Sequence, residues 1–380
     1  EPTYYASCHN LAGGLPSRLS TGRAFFDHIS PAIHRPTFSF RMNGGHGVRL
    51  RKWLFALLSQ ARPPRRRNRL HRNSMLELLE DRTLLSTFTV NSFADSVDAD
   101  PDDGVGMDAD SRTTLRAAVM QARILPGSHT IIVPAGTFYL QLESPVGDDG
   151  EPIDSQSTGD LDIFGNVTIQ GAGPGETIID AYEIDRAFSI WSGSDVSISG
   201  LTIRNGRVGA VDRIGSGGGI MSSDAHLTLS NLEIRDNKAL GEQTVDGIEM
   251  GAIGGGVLIS GGSVTIKETS IHGNSAPLGA GIDVRDNATI EIIDSRIYDN
   301  RSDRSGGGLK IVNSQGTISS TVLSENHAGS STVLGCGGAI LLDNSSISIT
   351  DSAISANQTY ATETILDTVK HGSGGGIYIV

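Results

Sequence analysis

GGGVLISGGSVTIKETSIHGN (254–274) decides the fold. The stretch opens on a glycine cluster, passes through short apolar–polar alternations, and closes on an asparagine. Both markers recur. A glycine cluster followed by an aliphatic residue ends at Ile220, Val257, Ile282, Leu309, Ile340 and Ile377. An aliphatic residue three places before an asparagine leads to Asn237, Asn274, Asn300, Asn326 and Asn357. From each aliphatic to the next asparagine there are 17, 17, 18, 17 and 17 residues, whereas the returns take 20, 8, 9, 14 and 20. An arc of fixed length reads as packed structure, and one of free length as surface loop.

Inside the fixed arc the apolar residues fall into columns. Seven places on stand Leu227, Val264 and Ile347, with Gly316 in the fourth copy. Nine places on stand Leu229, Ile266, Ile318 and Ile349; fourteen places on, Ile234, Ile271, Leu323 and Ile354. The third copy carries one extra residue, and Ile290, Ile292 and Ile297 fit after a shift of one. Spacings of two are those of strands, and polar turns such as SGGS (260–263) and DNSS (343–346) part them. The pattern predicts three short strands per repeat, wound so that like residues stack about 4.8 Å apart: a parallel β-helix. The expected structural ladder is Asn237, Asn274, Asn300, Asn326 and Asn357 at one corner, and Gly219, Gly256, Gly281, Gly308, Gly338 and Gly376 at another. Asparagine suits a left-handed corner and can bond its stacked neighbour; glycine allows positive φ and close approach of backbones.

Upstream, 130–140, 161–173, 177–190 and 195–206 alternate as first coils would, with Asn205 one residue out of the asparagine register. TTLRAAVMQARIL (113–125) predicts an amphipathic helix with Leu115, Ala118, Val119 and Ala122 on one face. Such a helix would cap the open edge of the first coil.

The chain has 380 residues, with 48 glycines and only 5% aromatics, a balance suited to turn-rich β architecture. Cys8 and Cys336 offer neither a disulfide framework nor a CxxC metal site, and no apolar run approaches the ~18 residues of a membrane span. Charge is divided unevenly. Residues 1–74 hold 13 Lys/Arg against 2 acids (+11), and the remainder 17 against 41 (−24), which together give the net −13. An acidic body argues against nucleic acid as a partner. The basic part contains RLRKWLFALLSQA (49–61), similar to a signal-peptide start, and the proline-broken ARPPRRRNRLHR (61–72). It is expected to be a disordered leader or targeting region, with Met42 as an alternative start.

Several stretches resemble known families. FTVNSFADSVDADPDDGVGMDADSRTTLRAAVMQA (88–122) resembles the CSLREA domain, which precedes β-helix repeats on secreted and surface proteins; the two family cysteines are replaced by Gly106 and Thr113. The glycine and asparagine markers resemble repeats of chlamydial-type polymorphic outer membrane proteins. GDLDIFGNVTIQGAGPGETIID (159–180) resembles the pectin-lyase-like superfamily. LELLEDRTLLS (76–86) resembles the LEPR-XLL motif of planctomycete exported proteins, departing at the proline. These resemblances imply a right-handed coil, export, and an extracellular, cell-surface or outer-membrane location. The expected organisation is a leader (1–74), an export motif (75–86), a CSLREA-like strand and capping helix (87–125), and a monomeric β-helix (126–380) that breaks off mid-coil.

Chemistry is harder to find. Glycan-cleaving β-helices need clustered carboxylates with an Arg or Lys, and no such motif stands out. GGHG (44–47) lies in the leader, GAGPGE (171–176) lacks a phosphate loop's pattern, and His226, His272 and His327 occupy different offsets. DADPDDG (98–104) places Asp98, Asp100 and Asp102 at the spacing of a Ca²⁺ loop, but with a late glycine and no closing Glu. No other cofactor is expected. The preferred reading is a non-catalytic secreted or surface protein for adhesion, envelope structure or carbohydrate binding, partnered by an extracellular polysaccharide or a cell-surface protein. The alternative is a lyase or glycoside hydrolase acting on acidic polysaccharide.

Overall fold

A computed structural model describes residues 85–145, 157–209, 215–245, 248–330, 333–360 and 374–380. The leader, GGHG and all but the last two residues of the export motif lie outside them. The described residues wind into a right-handed parallel β-helix. The repeat that begins at Val257 shows one turn of it: strands Val257–Ser260, Ser263–Lys267, Ser270–His272 and Ser275–Leu278. The next turn pairs with it in parallel, Val257 beside Ile282, Ser263 beside Thr289, Ser270 beside Arg296, Ser275 beside Arg301.

A coil therefore has four strands where three were expected. The fourth is short, often two residues, and starts the arc that varies in length. The second and third strands lie in one bent 15-stranded sheet, while the first and fourth strands build sheets of eight and six. Three sheets survive from four strands because the bend between the second and third needs only one residue at positive φ: Asn231, Glu268, Asp294, Ser320 or Asp351. In the extended strands Asp195–Arg204 and His226–Arg235 the sheet runs straight through it. The extra residue of the third copy falls in the turn at Asp286–Asn287, both left-handed, so the strands keep register.

The interior is one continuous column of Ile, Leu and Val, from Phe88 to Leu342. Full burial of each such side chain contributes roughly 1.5–3 kcal/mol, and the same position repeats in every coil. Gly316 is a gap by design of the packing: a Cβ there would lie 2.5 Å from Ile290 Cγ2.

The helix forms at Leu115–Ile124, capped by Thr114, whose hydroxyl accepts from Ala117 N and donates to Ser96 O. Leu115, Ala118, Val119 and Ala122 join the main core. Arg116 is fully buried and grips Asp95 through both carboxylate oxygens, at 2.6 and 3.1 Å. Its other bonds reach Gly159 O and Asp160 O, and Asp95 in turn accepts from Gln141 N and Leu142 N. One arginine thus fastens the helix, the segment that precedes it and the first coils together.

The longest described return, 238–253, carries an antiparallel pair, Glu242–Val245 with Ile248–Gly251. Cys336 is buried and disulfide-bonded; its partner lies outside the described residues.

Candidate functional site

Three of the sheet corners are held by side-chain ladders, and they fix what the outer faces can display. At the corner between third and fourth strands, Asn237 Nδ2 donates to Asn274 Oδ1, Asn274 to Asn300, Asn300 to Asn326 and Asn326 to Asn357, at 3.0, 3.0, 3.0 and 2.9 Å. Each Oδ1 also accepts the backbone N–H of the preceding asparagine, and each Nδ2 donates to a carbonyl such as Ile234 O. The left-handed residue is not the asparagine but the one before it: Asp236, Gly273, Asp299, Glu325 and Ala356. The offset of Asn205 follows directly, since Asn205 is itself left-handed and Gly206 takes the ladder place, donating to Asn237 Oδ1.

In the glycine clusters only the first residue is left-handed, as at Gly217, Gly254 and Gly306. The third lies against the asparagine amide: a Cβ on Gly256 would be 3.0 Å from Asn274 Nδ2 and 2.6 Å from Gly281 O. Gly219, Gly281 and Gly308 hold this place too, and Gly376 is their register equivalent. Gly338 does not; it sits one step earlier, and Ala339 stands in the column. Two further ladders, of hydroxyls, hold the other corners. Thr269 N donates to Ser295 Oγ, Ser295 N to Thr321 Oγ1 and Thr321 N to Ser352 Oγ; Ala288 N and Ser314 N donate to Ser314 and Ser345.

With the corners tied, the third strands present a flat outer face in two columns. The first runs Thr202, Glu233, Ser270, Arg296; the second runs Arg204, Arg235, His272, Tyr298. Glu233 is the hub. It accepts from Thr202 Oγ1 at 3.0 Å and Arg235 Nε at 3.2 Å, and its Oε1 lies 3.2 Å from His272 Nε2. The His272 ring stacks on Tyr298 with centroids 4.6 Å apart, and the Arg296 guanidinium sits 5.0 Å from the tyrosine centroid. Burial pushes the Glu233 carboxyl up, but the bonds from His272, Thr202 and Arg235 outweigh it and hold it below the usual range. Burial raises the Tyr298 phenol. The face offers guanidinium, imidazole and phenol donors around a carboxylate kept ionised.

Sequence reasoning did not reach this cluster. Its signal lay in the offsets: Arg235 and His272 stand fifteen places after the glycine-cluster aliphatic, as does Tyr298 once the extra residue is allowed for. A column gathers unlike residues as readily as like ones. His226 and His327 do lie elsewhere, His226 exposed against Ser263 and His327 on a fourth strand.

In the acidic loop the carboxylates accept from the loop's own backbone. Asp98 Oδ1 accepts from Asp100 N and Asp100 Oδ1 from Asp102 N, while Asp103 Oδ1 accepts from Val105 N. Asp98 is buried, and burial raises its pKa. Among the described residues no three His, Cys, Asp or Glu side chains are gathered as a metal would need. Nor is any described helix long and apolar enough to cross a membrane. A second charged pair is hidden on the first-strand face, where buried Lys310 stands beside Asp283 in register and burial lowers its pKa.

A family model described as "Right handed beta helix region" matches residues 186–380. Among solved structures, the A-module of mannuronan C-5 epimerase AlgE6 from Azotobacter vinelandii is similar at 16% identity and TM-score 0.37, over 77% of this chain and 72% of that one. The AlgE4 A-module from the same organism is similar at 17% identity and TM-score 0.19, over 72% and 98%. No curated protein sequence matches the chain.

Proposed function

The chain belongs to the right-handed β-helix family, and from that premise we propose that it is a secreted or cell-surface scaffold that binds extracellular polysaccharide without cleaving it. The observation that carries this reading is the third-strand face, where Arg235, His272, Tyr298 and Arg296 align along the coil axis around Glu233. A linear polymer lying along that axis would meet a new row of donors at every coil, about 4.8 Å apart. The resemblances of 76–86 and 88–122 to export and surface segments support the location.

Hydrolysis is less well supported. It calls for two carboxyl groups, one held protonated. The other carboxyls of this face, Asp180 and Asp236, are tied to Arg204 and Arg235, and the partners of Glu233 keep it ionised. The contact between Glu233 and His272, with Tyr298 stacked on the ring, favours a lyase as the second reading, because a base beside a phenol can move a proton.

The test is retention of the full chain on a panel of immobilised polysaccharides, with unsaturated sugars and reducing ends assayed in parallel. Retention without product is expected, and the H272A/Y298A double variant should bind about tenfold more weakly. Product formation would replace this reading with the lyase; absence of retention on every polymer would remove it.

A further inference from the structure

The fourth strands carry a second outward column, beyond the asparagine corner. In register along the axis it reads Arg207, Lys238, Ser275, Arg301, His327, Gln358. The residues beside them in sequence, Val208, Ala239, Ala276, Ser302 and Ala328, are buried, so the cations are turned outward by the strand alternation itself. Arg207, Lys238 and Arg301 are exposed, and none makes an ion pair among the described residues, while Arg112, Arg116, Arg186, Arg204, Arg235 and Arg285 all do. Beside the column, two residues after Gln358, Tyr360 stacks with His327 at 5.9 Å, and the Arg301 guanidinium lies 5.6 Å from its centroid.

We infer that this column is a binding site for a linear anionic polysaccharide, with one carboxylate or sulfate per sugar meeting successive coils. The inference rests on the reading of the coil as a polysaccharide-binding scaffold, and adds the charge class of the polymer and a face separate from that of Glu233. Three cations in axial register with no ion pair among the described residues stand out in a body with 41 acids against 17 Lys/Arg from residue 75 onward. Without an ion pair among the described residues, such a row is a potential that an anionic chain neutralises.

Spacing separates the candidate polyanions. Arg207 and Lys238 are one coil apart and Lys238 and Arg301 two, so the cations recur at about 5 and about 10 Å, and the row from Arg207 to His327 spans about 19 Å. Duplex DNA carries a charge every ~1.7 Å of axis, so most of its phosphates would find no cation here. They would instead meet the exposed acids one corner away, Asp236, Asp299 and Glu325, which stand just before the asparagines. A polymer with one charge per sugar matches the spacing of the cations, with Asp303, exposed two residues beyond Arg301, the one acid on the described fourth strands.

The experiment compares the full chain with a K238E/R301E variant and with an R65Q/R66Q/R67Q leader variant, since the leader is basic in its own right. Probes are polygalacturonate, a neutral dextran and single-stranded DNA, followed by calorimetry at two salt concentrations, with circular dichroism as the check on folding. Expected is binding of polygalacturonate that weakens about tenfold or more in K238E/R301E, with a shallower salt dependence, and persists in the leader variant. The charge-preserving K238R/R301K variant should keep wild-type affinity. Unchanged binding in K238E/R301E, loss confined to the leader variant, or equal affinity for single-stranded DNA would each overturn the column. Retention of the dextran with no preference for polygalacturonate would overturn it too, yet leave the scaffold reading standing; retention of neither polymer nor of any other polysaccharide would remove both.

Discussion

The regular coils and the capped beginning of the β-helix are held by opposite means. From Asn237 to Asn357 the same asparagine bonds recur coil after coil, and each coil supports only its neighbours. At the capped end nothing repeats. Arg116 and Asp95 join the helix, Gly159, Asp160, Gln141 and Leu142 through contacts that occur once. A repeat spreads its stability over equivalent sites; a cap concentrates it, because among the described residues no coil precedes the first.

Arg116→Ala should produce the largest effect. It leaves Asp95 buried without its cation and two carbonyls without donors, a loss of about 3–5 kcal/mol. Hydrogen exchange should show protection falling across the helix and strands from Leu85 to Gln170, while coils beyond Asn237 stay protected. Equal loss along the whole coil would show that the cap is no separate unit.

Asn300→Ala should come next, at about 3 kcal/mol. It removes the acceptor of Asn274 N and Nδ2, and the donors to Ile271 O and Asn326 Oδ1. Deprotection should centre on the coils of Asn274 and Asn326, leaving the cap intact. Ladder bonding would be refuted as the source of corner stability if Asn300→Ala melted with the wild type.

How much of this could be read from the chain depends on whether a contact repeats. The glycine and asparagine markers, the apolar columns and the stacking axis were legible because periodicity exposes them. The fourth strand was missed because two residues such as Lys238–Ala239 carry no visible alternation. The hydroxyl ladder of Thr269, Ser295, Thr321 and Ser352 gives no signal of its own, since Ser and Thr suit strands and turns alike. Arg116 looked like the polar side of an amphipathic helix; only the fold brings Asp95 and Gly159 around it. The Glu233 cluster escaped for a related reason, because its members share a column without sharing an identity. Leader residues 1–74 lie outside the described structure.

Gly316→Ala should cost about 1–3 kcal/mol, since the added methyl would lie 2.3 Å from the Ile290 carbonyl oxygen and 2.5 Å from its Cγ2, so that backbone must shift. The column alone would suggest that a side chain here completes the row from Ile290 to Ile347. The packing says the reverse, because Ile290 already fills the space. A higher denaturation midpoint for Gly316→Ala would mean that column logic outranks local packing.

The smallest effect is a pH dependence at the capped end, where two aspartates of one loop titrate in opposite senses. For Asp108, burial pushes the carboxyl up, but Arg112, Ser96 and the backbone N–H groups of Arg112 and Asp110 prevail and hold it at about 2, below the ordinary 3.8. A depressed folded value means that the unfolded chain binds the proton more readily. The contribution of Asp108 is therefore complete above about pH 4 and disappears as pH falls towards 2. Asp98 behaves in reverse: burial raises it, with Asp103 and Asp100 adding to the rise, so its charge disfavours folding at neutral pH and protonation relieves that penalty. Asp108→Asn should melt below the wild type at pH 6, and the two should converge near pH 2. Asp98→Asn should melt level with the wild type or above it at pH 6, and its advantage should shrink as pH falls towards 3.8. If both variants shift in the same direction at pH 6, the loop is held by its total charge rather than by individual partners, and the capped end is less unlike the coils than its contacts suggest.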